Sequence, residues 1–204
     1  MSKNQLLSIS PLDGRYSQNL NEIREYFSEY GYIFYRVKTE ILWFETLSNI
    51  GLKEFPPLSK GARSEIKSWH EKITYQDVEK IKNIENRINH DVKSVEYFLK
   101  DKASKSNFSD LQECAEFFHF CCTSEDINNL SHSMMLLDAR EKLLLPIYKK
   151  IISKLGEIIN ETSNDAMLSR THGQTASPTT MGKEIANVRA RLRKSRDRFR
   201  QVEI

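Results

Sequence analysis

Two long apolar seams in the C-terminal half constrain the fold of this chain more than any other feature. Ile127, Leu130, Met134, Leu137, Leu144, Tyr148, Ile151, Leu155 and Ile158 recur at alternating three- and four-residue steps, with Glu141 the only polar intruder. Met181, Ile185, Val188, Leu192, Ser195, Phe199 and Val202 continue in the same rhythm. Such spacing holds one stripe of side chains on one face of a helix and suits helices packed along their length. Pro146 falls inside the first seam, where its missing N–H predicts a kink that leaves the stripe in place. The second seam reaches the last residue without a stop signal, so the sequence reads as the front part of a longer protein.

The remainder is punctuated sparingly, by seven glycines and five prolines in 204 residues, which leaves few turn signals for a sheet. The expected fold is all-α: a small helical domain over 1–110, then the first long helices of a bundle over 111–204. The polar run from Lys100 to Asp110, with Ser104, Ser106, Asn107 and Ser109, marks the expected boundary. Within the first part, Tyr30, Ile33, Phe34, Val37, Ile41, Phe44 and Leu47 predict a helix from about Ser28 to Ile50, ended by Gly51. Phe55-Pro56-Pro57 interrupts it, and a shorter helix follows over Ser59 to Ile73. Thr74 is placed to cap the next helix through the amide of Asp77, and that helix carries Val78, Ile81, Ile84 and Ile88. Asn89-His90-Asp91 then predicts a break, with Asn89 or His90 capping a helix through Val95 and Leu99.

Composition excludes several classes of function. No apolar run approaches the roughly 20 residues needed to span a bilayer, and the first residues carry no secretory pattern. Cys114, Cys121 and Cys122 lack the paired spacing of a zinc or redox site, so reduced thiols in a cytoplasmic protein are expected, with no metal and no cofactor. A net charge of +3 does not argue for nucleic acid. The arginines between Arg189 and Arg200 lie over a persistent apolar seam and read as a helix surface awaiting its neighbours, not as a physiological nucleic-acid site.

Four polar clusters stand at element boundaries. Asp13-Gly14 makes a turn that aims Arg15 and Tyr16, a guanidinium fork and a hydroxyl suited to phosphate or carboxylate. Asn89, His90 and Asp91 gather at a helix start, where free amides favour an anionic ligand. Thr123 and Ser124, followed by Glu125 and Asp126, form a helix N-terminus that needs no function but also suits an oxyanion. The stretch Leu168–Pro178 is expected as a connection belonging to neither long helix. Within it Arg170, His172, Gly173 and Gln174 combine an anion fork, a group titrating near neutral pH, a flexible backbone and an amide.

Taken in order, Ser10-Pro11-Leu12-Asp13-Gly14-Arg15-Tyr16, Asn89-His90-Asp91-Val92-Lys93, Thr123-Ser124-Glu125-Asp126-Ile127-Asn128-Asn129 and Ser169-Arg170-Thr171-His172-Gly173-Gln174 resemble the adenylosuccinate lyase family of the fumarase and aspartase superfamily. The resemblance covers the whole chain. It implies helical subunits with a long-helix central domain, a cytoplasmic homotetramer with sites shared among subunits, and a small nucleotide substrate with no cofactor. It further implies that Arg15 and Tyr16 hold the nucleotide phosphate, that Asn89, His90 and Asp91 contact substrate, that Thr123 and Ser124 bind the succinyl portion, and that His172 is the general acid. One part of the pattern is missing: the family's loop Ser-Ser-x-Met-Pro-x-Lys-x-Asn, with its catalytic serine, does not occur in these residues. A different superfamily lyase, such as argininosuccinate lyase, and a non-enzymatic helical assembly module are the alternative readings. Either way, the partly covered seams predict self-association.

Overall fold

The computed structural model describes residues 6–204. They form two compact units, one ending at Leu136 and the other spanning Leu137–Ile204. Helices dominate both, and the sheet among the described residues is a single antiparallel pair of strands.

The first unit is built around one helix. After a short helix α1 (Asn21–Phe27), Ser28 takes an extended conformation and accepts the Gly31 N–H at 3.1 Å, opening helix α2 (Glu29–Ile50). A Cβ on Gly31 would meet the Glu25 carbonyl oxygen at 2.6 Å, so only glycine lets α1 fold back this closely on α2. At the other end Gly51, at φ 94°, supplies the left-handed terminus that the sequence predicts. Ile33, Val37, Ile41, Phe44 and Leu47 are buried on one face of α2. Phe44 stacks on Phe118 with ring centres 4.0 Å apart and meets Phe55 at 4.7 Å.

Helix α3 (Lys60–Glu71) is capped by Ser59 and brings Ala62, Ile66 and Trp69 to the same core. Helix α4 (Tyr75–Ile88) opens with a reciprocal cap: the Thr74 hydroxyl accepts the Asp77 N–H, and the Asp77 carboxylate accepts the Thr74 N–H, each at 3.2 Å. Asn89 ends it in the left-handed region at φ 53°. His90 then starts helix α5 (Asp91–Ser104), its Nδ1 accepting the Lys93 N–H at 3.2 Å. The break predicted at Asn89-His90 is therefore present, with one residue closing a helix and the next opening another.

The polar run 100–110, expected as a domain boundary, lies inside this first unit. Ser106 is buried, donates to the Glu65 carboxylate at 2.9 Å and accepts the Phe108 N–H, so its polarity is satisfied internally. A one-turn helix α6 (Ser109–Glu113) and a tight 3-10 turn, Ala115–Phe117, carry Leu111, Cys114 and Ala115 into the core. Helix α7 (Ser124–Asp138) closes the unit, burying Ile127, Ser131 and Met135.

The seam residue Leu130 lies on the exposed side of α7, as do Leu136 and Leu137. Beyond α7 the helix widens into a π turn over Ala139–Leu144 and resumes as α8 (Leu145–Glu161), with Pro146 in its first turn. The ring of Pro146 cannot sit under an ordinary helical carbonyl and brings no N–H, and the wider turn relieves both conflicts.

In the second unit the stretch 168–178 is not the irregular connection the sequence suggests. It is a hairpin of β1 (Ala166–Thr171) and β2 (Gln174–Thr180), turning at His172 and Gly173. Both central residues have positive φ, 49° and 77°, which matches the right-handed twist of the flanking strands. Between Leu168↔Pro178 and Arg170↔Thr175 the register shifts, so Ser169 faces two residues, Ala176 and Ser177, in a bulge. Helix α9 (Met181–Gln201) begins where Thr180 accepts the Lys183 N–H, and it packs along α8. Gly182 is pressed against the end of α8: its N–H donates to the Thr162 carbonyl at 3.0 Å, and a Cβ there would lie 2.7 Å from the Ile159 oxygen. Further along, Arg189 lies over Gly156 and donates from Nε to the Ile152 carbonyl at 3.0 Å.

Candidate functional site

Three of the four polar clusters lie in the first unit. Arg15 and Tyr16 follow a turn in which the Ser10 carbonyl accepts the Asp13 and Gly14 N–H groups at 3.1 Å and the Ser10 hydroxyl accepts that of Leu12. Both side chains are exposed. The turn is tied back to α1 by an ion pair between Asp13 and Arg24 at 3.1 Å.

The Asn89–Asp91 and Thr123–Ser124 clusters are linked through a residue that sequence reasoning missed. Arg36, on α2 and only 4% exposed, donates from Nη2 to Asp91 Oδ2 and from Nε to Asn128 Oδ1 at 3.0 Å. Its guanidinium lies 3.8 Å from the centre of the Tyr32 ring. The Tyr32 hydroxyl donates to the same Asn128 oxygen at 2.7 Å, and the Asn128 amide donates to Glu125 at 2.9 Å. On its other side Tyr32 stacks on His132, centres 4.6 Å apart and planes within 9°. Burial opposes ionisation of Asp91, yet the Arg36 charge and the hydrogen bonds to its carboxylate outweigh it and hold the group below the ordinary aspartate value.

At the start of α7, the Asp126 carboxylate accepts both the N–H of Thr123, at 2.7 Å, and its hydroxyl, at 3.0 Å. These bonds hold Asp126 below its usual range. Thr123 is thus fixed as the helix entrance, and Ser124, half-buried, is the first residue of the helix. Ahead of them, His119 and Cys121 have φ 63° and 60°. The His119 backbone is held by Glu40 of α2, which is fully buried, and the Trp43 indole holds Phe120 by donating to its carbonyl at 2.8 Å. Burial pushes the Cys122 thiol up to about 11, so it stays protonated.

Tyr32, Arg36 and Glu40 were legible in principle: they stand four residues apart, a polar stripe beside the apolar Ile33, Val37 and Ile41. Thr39 belongs to the same polar side, its hydroxyl 3.0 Å from that of Ser131 on α7.

His172 belongs to the second unit. It stands at the hairpin tip, exposed, with Thr171, Gly173 and Gln174 exposed around it. Among the described residues, no group of three or more His, Cys, Asp and Glu is placed to hold a metal ion. No helix among them is long and apolar enough to cross a membrane.

Residues 14–203 match the protein family described as lyase. The chain belongs to that family. It is 43% identical over 205 aligned residues to adenylosuccinate lyase of Haemophilus influenzae, covering 100% of this chain and 44% of that protein. It is 41% identical to adenylosuccinate lyase of Escherichia coli, again over 100% of this chain and 44% of the relative. The chain therefore spans less than half the length of these curated relatives. In fold it is similar to a fumarate lyase from Mesorhizobium sp., with a TM-score of 0.69 and 18% identity, over 89% of this chain and 39% of that one. A β-carboxy-cis,cis-muconate cycloisomerase from Acinetobacter calcoaceticus gives 0.65 and 19%, over 88% and 39%. The helical lyase architecture inferred from the motifs is thus the one present, and the sheet among the described residues is the single hairpin.

Proposed function

We propose that the full-length protein carrying this chain cleaves adenylosuccinate to AMP and fumarate, and the related succinyl-carboxamide ribotide of purine synthesis, by β-elimination. The observation that carries the reading is the identity of 41–43% along the whole chain to relatives named adenylosuccinate lyase. The reaction removes a proton from the carbon beside the succinyl carboxylate. The C–N bond breaks as the carbon–carbon double bond of fumarate forms, and the departing nitrogen takes a proton. We assign that second proton to His172 and the first to the family's loop serine, whose pattern does not occur in these 204 residues. Arg15 and Tyr16 would hold the phosphate, Asn89, His90 and Asp91 would contact the substrate, and Thr123 and Ser124 would bind its succinyl portion.

On this reading the 204-residue chain alone binds nucleotide weakly and does not turn over. The complete protein acts as a cytoplasmic homotetramer, independent of membranes and nucleic acid. Exposed Leu130, Leu136, Leu137, Ile151 and Val188 support assembly, since apolar side chains at such spacing are usually covered.

The test is turnover of adenylosuccinate by the full-length protein. His172→Ala should lower kcat by about 10²- to 10⁴-fold, the usual range for a positioned acid or base. Undiminished kcat in that variant would remove His172 from the chemistry. Cleavage of argininosuccinate instead would reassign the substrate.

A further inference from the structure

We infer that Arg36 is a positioning residue that holds the Asn89–Asp91 segment and the first turns of α7 in one fixed relation. The inference rests on the substrate-binding roles proposed for those two segments, and it adds a residue that contacts neither ligand nor reacting atoms.

Taking a guanidinium out of water is expensive, and a packed apolar side chain of similar volume at such a position is often as stabilising or more so. Stability alone therefore does not account for Arg36 in a helix whose neighbours Ile33 and Val37 are core residues. Its geometry does. The planar fork makes two bonds at fixed angles to two different helices, one to Asp91 at the first position of α5 and one to Asn128 in the second turn of α7.

One acceptor is held from a second direction, and the other keeps a free face. Asn128 Oδ1 also takes the Tyr32 hydroxyl while its amide is committed to Glu125, so the side chain cannot flip without losing its bonds. Asp91 meets Arg36 through Oδ2 while its side chain stays 47% exposed, which leaves the other face of the carboxylate toward solvent and toward His90. The guanidinium itself is seated on the Tyr32 ring, and that ring on His132 of α7. A lysine would keep the charge but could not satisfy both acceptors in these directions.

The experiment compares Arg36→Lys with the unsubstituted full-length protein, by steady-state kinetics with adenylosuccinate and by amide hydrogen exchange. The expected result is a fall in kcat/KM of about 10²-fold, carried mainly by KM, with faster exchange confined to residues 89–93 and 123–128. Should Arg36→Lys fail to fold, Tyr32→Phe deletes only one hydroxyl from the arrangement and should raise KM about 2- to 10-fold. A folded variant with a lower thermal midpoint but unchanged KM and unchanged exchange at those two segments would overturn the inference, because it would make Arg36 a stabilising residue only. If the unsubstituted protein does not cleave the substrate, the proposed activity falls separately. The exchange comparison then still decides whether Arg36 couples the two segments.

Discussion

Glu40 and His119 are joined twice: the carboxylate Oε1 lies 2.6 Å from the ring Nδ1, and Oε2 accepts the His119 backbone N–H at 3.1 Å. The side-chain bond raises His119 above the ordinary histidine value of 6.5, against the opposing effect of burial. A histidine raised on folding contributes its full stabilisation below the unfolded value and loses it as pH rises through the folded one. The thermal midpoint should therefore decline as pH rises above 6.5. Glu40→Gln, which leaves the charged ring without its partner, should cost about 3 kcal/mol at mildly acidic pH and flatten that decline. Calorimetry between about pH 5 and about pH 8 reads both effects. Equal pH slopes for the two proteins would refute the coupling.

The reciprocal cap at Thr74 and Asp77 is exposed and local, so its removal should act on stability alone. Thr74→Ala should cost about 1 kcal/mol in chemical denaturation. Loss of less than a few tenths would mean that the entrance to α4 is held by other contacts.

Gly31 lies inside a helix, where alanine would normally be favoured by about 1 kcal/mol. Here the added Cβ would press on the backbone of Glu25 and Tyr26 at 2.6 and 2.8 Å. Gly31→Ala should instead destabilise the fold by about 2 kcal/mol, because backbone atoms cannot step aside as a flexible side chain can. A stabilised variant would show that α1 is free to move off α2.

Gly173 presents the opposite case: a Cβ added there would meet nothing within 4 Å, but φ is 77°. Gly173→Val should cost little in packing and still loosen the hairpin through backbone strain. Faster amide exchange across β1 and β2, with α8 and α9 unchanged, is the expected signature. Full protection in the variant would argue against strain at the turn.

What the sequence conveyed and what it concealed divide along physical lines. Caps are local chemistry, so Ser28, Thr74, His90 and the Asn89 break could be placed from a few neighbouring residues. The buried face of α2 was equally legible from its spacing. In α7 the spacing announced a helix but not its orientation: the residues buried within the first unit are Ile127, Ser131 and Met135, while Leu130 of the seam faces outward. The hairpin escaped detection because its strands are exposed on both sides, which erases the alternation that normally marks a strand. Its turn signal, His172-Gly173, lacks the Asn or Asp usual at the first position.

The candidate site shows the same division. Arg15, Tyr16, Asn89, His90, Asp91, Thr123, Ser124 and His172 are candidates because they stand in short motifs, which a sequence displays directly. Arg36 is not displayed in this way, because it meets Asp91 and Asn128 across separations of 55 and 92 residues. No local rule links residues so far apart; only the packing of α2 against α5 and α7 does.

The hairpin also sets a reach. Its first strand has six residues, and at about 3.3 Å per residue the tip stands about 20 Å beyond the helix ends that hold its base. That base is clamped by Met181 and Gly182 donating to Asp165 and Thr162, whereas the histidine at the far end is exposed, as is the turn around it. The chain thus holds this imidazole at the end of a short arm. On the proposed reading, the serine that works with His172 is supplied from outside the hairpin.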